Sequence, residues 1–348
     1  VLLAAVPVRV YANAHVAQAQ RGGWTAAALG ALIALLMALL VATRSPVFGV
    51  DTATYLNLFG GYCLGQDVSS EGTSFLLSVT LLDTAMLGAC ETRLLPFAWA
   101  LLFVGLLLVA PSDRRHKAAF LGLLMLSLVG IELVTNALRQ SLSVGVTIIA
   151  VALYPRSRVA AMVAAVAAVA LHTSGALVLL AAWGATFGWR LFLLGVAAGI
   201  GIVAVALLTG NAFFLLEPLL YEIQKYLGHE ADEIWIRAMA AACVLTAMGA
   251  PLLAADGADG RRCLWRDADY QVALRLAFTC IPFLAIPWFG FRYMYGVYPI
   301  LLWLVLLAGA RQPGMAGRQF GWTLAGNLVI LLAWSFGSSY MQLVPFYA

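Results

Sequence analysis

Three observations predict an all-α polytopic membrane protein. First, 63% of the 348 residues are hydrophobic and only 10% are charged, against roughly 25% charged in a soluble domain. Second, the apolar residues fall in long runs, with a mean hydropathy of +0.94. No soluble core hides that much apolar surface, so the solvent is lipid. Third, the basic residues form short clusters between the runs. That argues against a nucleic-acid partner and makes the distribution of the net charge of +4 more telling than its size.

About eleven transmembrane helices are expected, at 24–42, 94–110, 118–135, 137–153, 159–171, 175–189, 191–208, 238–255, 272–288, 293–309 and 322–336. Each is long enough, or nearly so, for a span that needs ~20 residues and usually at least ~17. The chain opens on VLLAAVPVRV without a convincing leader cleavage site. This opening leaves room for a further helix at or before Val1. The clusters Arg9/Arg21, Arg114/Arg115/Lys117, Arg156/Arg158, Arg190, Arg261/Arg262/Arg266 and Arg311/Arg318 all fall on one side if 74–89 does not cross. By the positive-inside rule that side is the cytoplasm. The segment 74–89 is short and carries Asp83, so it is assigned as a re-entrant or membrane-parallel helix on the outer face.

The connections at 43–93, 136, 172, 209–237 and 289–292 are then external. Within 209–237, Phe213, Phe214, Leu219, Leu220, Tyr221 and Ile223 make the apolar side of an amphipathic helix lying on the membrane. Trp288, Phe289, Phe291, Tyr293, Tyr295 and Tyr298 are expected to form an interface belt. Residues 1–348 make one integral membrane domain without a tandem repeat. The cytoplasmic loop 256–269 is too small to hold a nucleotide-binding domain. The five cysteines show no C-x-x-C spacing, which argues against a zinc or thioredoxin-like site. Cys63 and Cys90 share the outer side, where an oxidising compartment would allow a disulfide between them.

This topology gathers the costly polar residues at one face: Arg44, Asp51, Tyr55, Glu71, Asn136, Arg139, Gln140, His172 and Arg292. A charge at membrane depth costs at least ~2.5 kcal/mol. Asp51 follows a helix exit, with Thr52 and Tyr55 at i+1 and i+4. Glu71 opens the membrane-parallel helix, where the dipole favours a carboxylate. Two such acids suit general-base work on a sugar hydroxyl, or metal binding; the plainer alternative is a helix cap and a solvated loop acid. Asn136, Arg139 and Gln140, one turn apart, place an amide, a guanidinium and an amide on one helix face. The planar fork of arginine matches phosphate oxygens. Snorkelling to the interface, or an ion pair with Glu132, is the bland account of Arg139. His172 breaks an apolar run and suits a proton carrier or phosphate donor, or equally a satisfied histidine in a helix turn. Arg292 is a second phosphate ligand or a cation–π anchor.

Taken in order, these segments resemble the EpsG-type family of exopolysaccharide and O-antigen polymerases, the Wzy class. The matching residues are Arg44, Gly49-Val50-Asp51-Thr52-Ala53-Thr54-Tyr55, Glu71 before Phe75, Asn136-Ala137-Leu138-Arg139-Gln140 and His172-Thr173-Ser174. The match covers roughly residues 40–180. It departs from the family at Ser141-Leu142-Ser143, where an alanine often follows R-Q.

The resemblance implies a fold related to the lipid-dependent GT-C glycosyltransferases, in a bacterial cytoplasmic membrane with the site facing outward. The implied reaction transfers a growing glycan from undecaprenyl diphosphate to the terminal sugar of another lipid-linked repeat unit. The implied partners are the lipid-linked oligosaccharide and the bilayer, with a chain-length regulator protein as a further candidate and no cofactor. In those roles Asp51, Glu71 and His172 are catalytic, Arg139, Arg292 and Arg44 bind diphosphate, and Tyr55, Asn136 and Gln140 position substrate. An O-antigen ligase with a lipid A acceptor and a lipid-linked oligosaccharide flippase are the rival readings.

Overall fold

The computed structural model describes residues 21–43, 50–67, 73–209, 233–283, 287–312 and 314–337, and these residues fold as helices joined by turns. The helices are α1 (Arg21–Thr43), α2 (Val50–Cys63), α3 (Thr73–Ala85), α4 (Leu95–Val109), α5 (Arg114–Met125), α6 (Leu128–Thr135), α7 (Leu138–Leu153) and α8 (Arg158–Leu171). They continue as α9 (Ser174–Gly184), α10 (Trp189–Thr209), α11 (Glu233–Ala254), α12 (Gly257–Arg266), α13 (Ala268–Phe278), α14 (Cys280–Phe283), α15 (Pro287–Ala310) and α16 (Met315–Gly337). Among the described residues, five helices are long and apolar enough to cross a membrane, or six if one bent pair is a single span. Among the described residues the protein is all-helical and membrane-embedded, and the rows of exposed Leu, Val, Ile and Met on α1, α8 and α10 are the lipid-facing surface such a protein needs.

Helix α15 is the hub. Its spanning window is 89% buried, while those of the other four long helices are between 28% and 44% buried. It packs against α5, α6, α7, α9, α11, α13 and α16, with Val297, Tyr298, Leu301, Leu302 and Val305 fully enclosed. At its C-terminal end Arg311 pairs with Asp267 at 3.0 Å and also with Asp269, tying the end of α15 to the start of α13. Helix α1 reaches α5 through Gly30 and Gly122. A Cβ on either would strike the backbone of the other helix, the close approach that small residues permit between membrane helices.

The predicted span 118–135 is not continuous. α5 and α6 meet at a 79° bend, and the reason is local. Ser127 caps α6 by accepting the Gly130 amide at 2.9 Å, and it returns its hydroxyl to the Leu124 carbonyl at 2.7 Å. A Cβ on Gly130 would overlap that same carbonyl. Asn327 from α16 donates to the Leu123 carbonyl at 2.9 Å and accepts from the Tyr298 hydroxyl at 3.0 Å. Carbonyls freed at a helix break must be satisfied inside the protein when lipid surrounds it. Asn327→Leu leaves both the Leu123 carbonyl and the Tyr298 hydroxyl without this partner. It is expected to cost about 2–6 kcal/mol, at roughly 1–3 kcal/mol for each of the two buried groups. Denaturant or thermal unfolding of the purified protein reads the loss, and an unchanged midpoint would count against this account of the bend.

The predicted span 272–288 is also corrected. α13 ends at Phe278, α14 is a single turn containing Pro282, and α15 already begins at Pro287. Proline removes a helix donor and clashes with the preceding turn, so two of them punctuate the apolar run. The expected interface belt is overturned at four of its six positions. Phe291, Tyr293, Tyr295 and Tyr298 are buried. Phe291 stacks on Trp334, while Tyr293, Tyr295 and Tyr298 bond to Thr279, Glu132 and Asn327. Trp288 and Phe289 lie where only the backbone is described. α3 has 13 residues, about 20 Å at 1.5 Å per residue, short of a ~30 Å hydrocarbon core. The expected surface helix within 209–237 falls mainly on 210–232, outside the described residues, as does any helix at the start of the chain. A disulfide joins Cys63 to Cys90, closing the loop that carries α3.

Candidate functional site

Four helix starts meet at one end of the bundle: α3, α7, α9 and α15. The short turns 136–137 and 172–173 bring α7 and α9 there. The Gln140 side chain joins the start of α7 to α15 by donating from Nε2 to the Arg292 carbonyl at 2.8 Å. Helix N-termini carry partial positive charge and unpaired amides, so this end favours an anion.

Arg139 is the best-anchored group. Its Nε donates to the Tyr55 hydroxyl at 3.0 Å and its Nη1 to Ser74 Oγ at 2.9 Å. Two bonds from one planar fork fix the plane of the guanidinium. Tyr55 is itself held: its ring lies 5.3 Å from that of Trp99, whose indole N–H donates to Ser141 Oγ at 2.8 Å. Ser143 donates to the Ala168 carbonyl at 2.7 Å, tying α7 to α8 one turn before His172. Ser141 and Ser143 thus hold this scaffold together.

His172 lies in the two-residue turn between α8 and α9, outside both helices. Its Nδ1 accepts the Ser174 amide at 3.2 Å and lies 2.7 Å from Ser174 Oγ. Burial chiefly, then the charges of Arg139 and Arg292, push its pKa down to about 3. The ring is therefore neutral throughout the range between about pH 5 and 8 where a histidine ordinarily switches. With Nδ1 accepting, the proton sits on Nε2, which makes His172 a hydrogen-bond donor.

The expected single face of Asn136, Arg139 and Gln140 does not form. Asn136 ends α6 and donates to Glu132 Oε2 at 2.8 Å. Arg139 turns to Tyr55 and Ser74, and Gln140, 100° further round α7, turns to α15. Glu132 spends its Oε2 on Asn136 and on the Tyr295 hydroxyl at 3.0 Å.

Asp51 lies in the first turn of α2, one turn before Tyr55, rather than in a loop; only its backbone is described. Arg44 and Glu71 lie outside the described residues. Sequence reasoning missed Ser74, Trp99 and Tyr295. Ser74, in the first turn of α3, and Trp99, at the start of α4, carry no charge to flag them, and Tyr295 was assigned to the membrane interface. No family model, curated protein or solved structure matches the chain.

Proposed function

We propose that the chain is a polysaccharide polymerase of the EpsG-type, Wzy class, with about eleven spans and a GT-C-like arrangement, in a bacterial cytoplasmic membrane. It transfers a growing glycan from undecaprenyl diphosphate to the terminal sugar of another lipid-linked repeat unit. The observation that carries this reading is the Gln140 bond to the Arg292 carbonyl, which brings the helix segments carrying Arg139 and Arg292 together among helix N-termini. Two guanidinium forks and an imidazole donor suit a diphosphate, whose charge grows as it leaves. In the reaction the bond from the sugar anomeric carbon to the diphosphate oxygen breaks. A bond from that carbon to the acceptor hydroxyl oxygen forms. The hydroxyl proton passes to a carboxylate, assigned to Asp51 with Glu71 as the alternative, and the diphosphate departs with the electron pair. Arg44 completes the proposed anion site.

The Cys63–Cys90 disulfide supports an outward-facing site, because such bonds persist in oxidising compartments. The clustering of Arg114, Arg115, Lys117, Arg158 and Arg190 at the opposite helix ends supports the same orientation. A membrane-impermeant thiol reagent added outside intact cells should label Glu91→Cys and spare the exposed native Cys263. The reverse pattern would defeat the orientation.

One observation favours a second reading: the 79° break between α5 and α6 is a feature common in transporters, which suits a flippase for lipid-linked sugars. Purified protein supplied with lipid-linked repeats separates the readings. A ladder spaced by one repeat supports the polymerase. Translocation across a vesicle without a ladder supports the flippase, and product only with a lipid A acceptor supports a ligase.

A further inference from the structure

Arg139 and Arg292 come from different helices, α7 and α15. Two side-chain bridges tie α15 beside the arginines, one to α7 and one to the end of α6 that leads into it. One is the bond from Gln140 to the Arg292 carbonyl, at 2.8 Å. The other is Glu132, 1% exposed, whose Oε2 accepts from Tyr295, three residues beyond Arg292, at 3.0 Å. The same oxygen accepts from Asn136 at 2.8 Å. The Glu132 carbonyl accepts the Asn136 and Ala137 amides at 2.8 and 2.9 Å. One residue therefore grips both the turn that launches Arg139 and the helix that carries Arg292.

We propose that Glu132, with Gln140, sets the separation of the two arginines and so makes the site selective for a lipid diphosphate over a lipid monophosphate; this rests on the lipid-diphosphate reading above. A single phosphoryl group is satisfied by one guanidinium fork. A diphosphate presents two groups and uses two forks, so only the diphosphate feels their spacing. The burial of Glu132 keeps it from the reacting atoms, so it is a positioning residue.

The test uses the purified full-length protein in lipid nanodiscs, with undecaprenyl diphosphate and undecaprenyl monophosphate as separate probes. The wild-type protein should prefer the diphosphate by about tenfold or more, the scale of one charge-assisted contact. Glu132→Gln keeps size but replaces the acid oxygen that holds Asn136 and Tyr295 with a weaker amide acceptor, loosening both bonds. It should shrink the preference by about tenfold, through weaker diphosphate binding with monophosphate binding unchanged. Gln140→Leu and Tyr295→Phe should move the ratio in the same direction.

A residue that is only structural would weaken both probes in parallel. That outcome, or an unchanged ratio in Glu132→Gln, overturns the proposal. If Glu132→Gln yields no folded protein, Tyr295→Phe, which loses a single hydroxyl, decides by the same ratio. Wild-type protein that binds neither probe defeats the proposed function and this inference together. Wild-type selectivity that all the variants retain defeats this inference alone.

Discussion

Arg139→Lys should remove most polymer formation while the protein stays folded in the membrane. The guanidinium is anchored through Nε to Tyr55 and through Nη1 to Ser74. The planar fork of arginine matches the geometry of phosphate oxygens. Lysine offers one compact ammonium, which cannot keep both anchors and also present a fork. Donors aimed at developing negative charge are typically worth about 100- to 1,000-fold in turnover, and the ladder assay should show a loss of that order. Tyr55→Phe is the milder companion. It keeps the ring against Trp99 but loses the hydroxyl, and about a tenfold loss is expected from one hydrogen bond to a charged group. Normal ladders from Arg139→Lys would remove Arg139 from the mechanism.

Asp51→Asn should lower turnover by about 100- to 10,000-fold, the usual contribution of a general base, with binding of the lipid donor nearly unchanged. Asp51 opens α2 one turn before Tyr55, and Tyr55 touches Arg139. The proposed base therefore comes from the helix that anchors the proposed phosphate ligand, so acceptor and donor would be positioned by one element. Retained ladders in Asp51→Asn beside an inactive Glu71→Gln would move the role to Glu71. Full activity in both single variants and in the double variant would sink carboxylate catalysis and make departure of the diphosphate the step that matters. His172 is the poorer base, since its Nδ1 is already occupied by Ser174.

The helices were legible because lipid imposes one rule on every spanning segment, and the runs 24–42, 94–110 and 322–336 correspond to α1, α4 and α16. Hydropathy averages over a turn, however, and therefore missed the bend at Leu126–Ser127. The groups that make the bend tolerable include Asn327, 204 residues from the carbonyl it serves. The tyrosines of α15 were misplaced for a related reason. An aromatic with a polar tip suits a membrane interface and a buried polar network equally, and only the tertiary partner decides. At the site, Tyr55 meets Arg139, and Gln140 meets the Arg292 carbonyl. Their directions were not legible: neighbours on a helix point 100° apart, and the partners Ser74 and Tyr295 come from segments distant in the chain.

The Cys63–Cys90 bond makes maturation of the protein a redox event. It closes a loop with a sequence separation of 27, a constraint worth about 3.5 kcal/mol against the open chain, and that loop carries the serine that holds Arg139. A molecule inserted correctly but never oxidised would have every helix in place and a slack grip on its central arginine. Preparations made in a host with a reducing envelope, or handled throughout in dithiothreitol, would look well folded by helicity and yet work poorly.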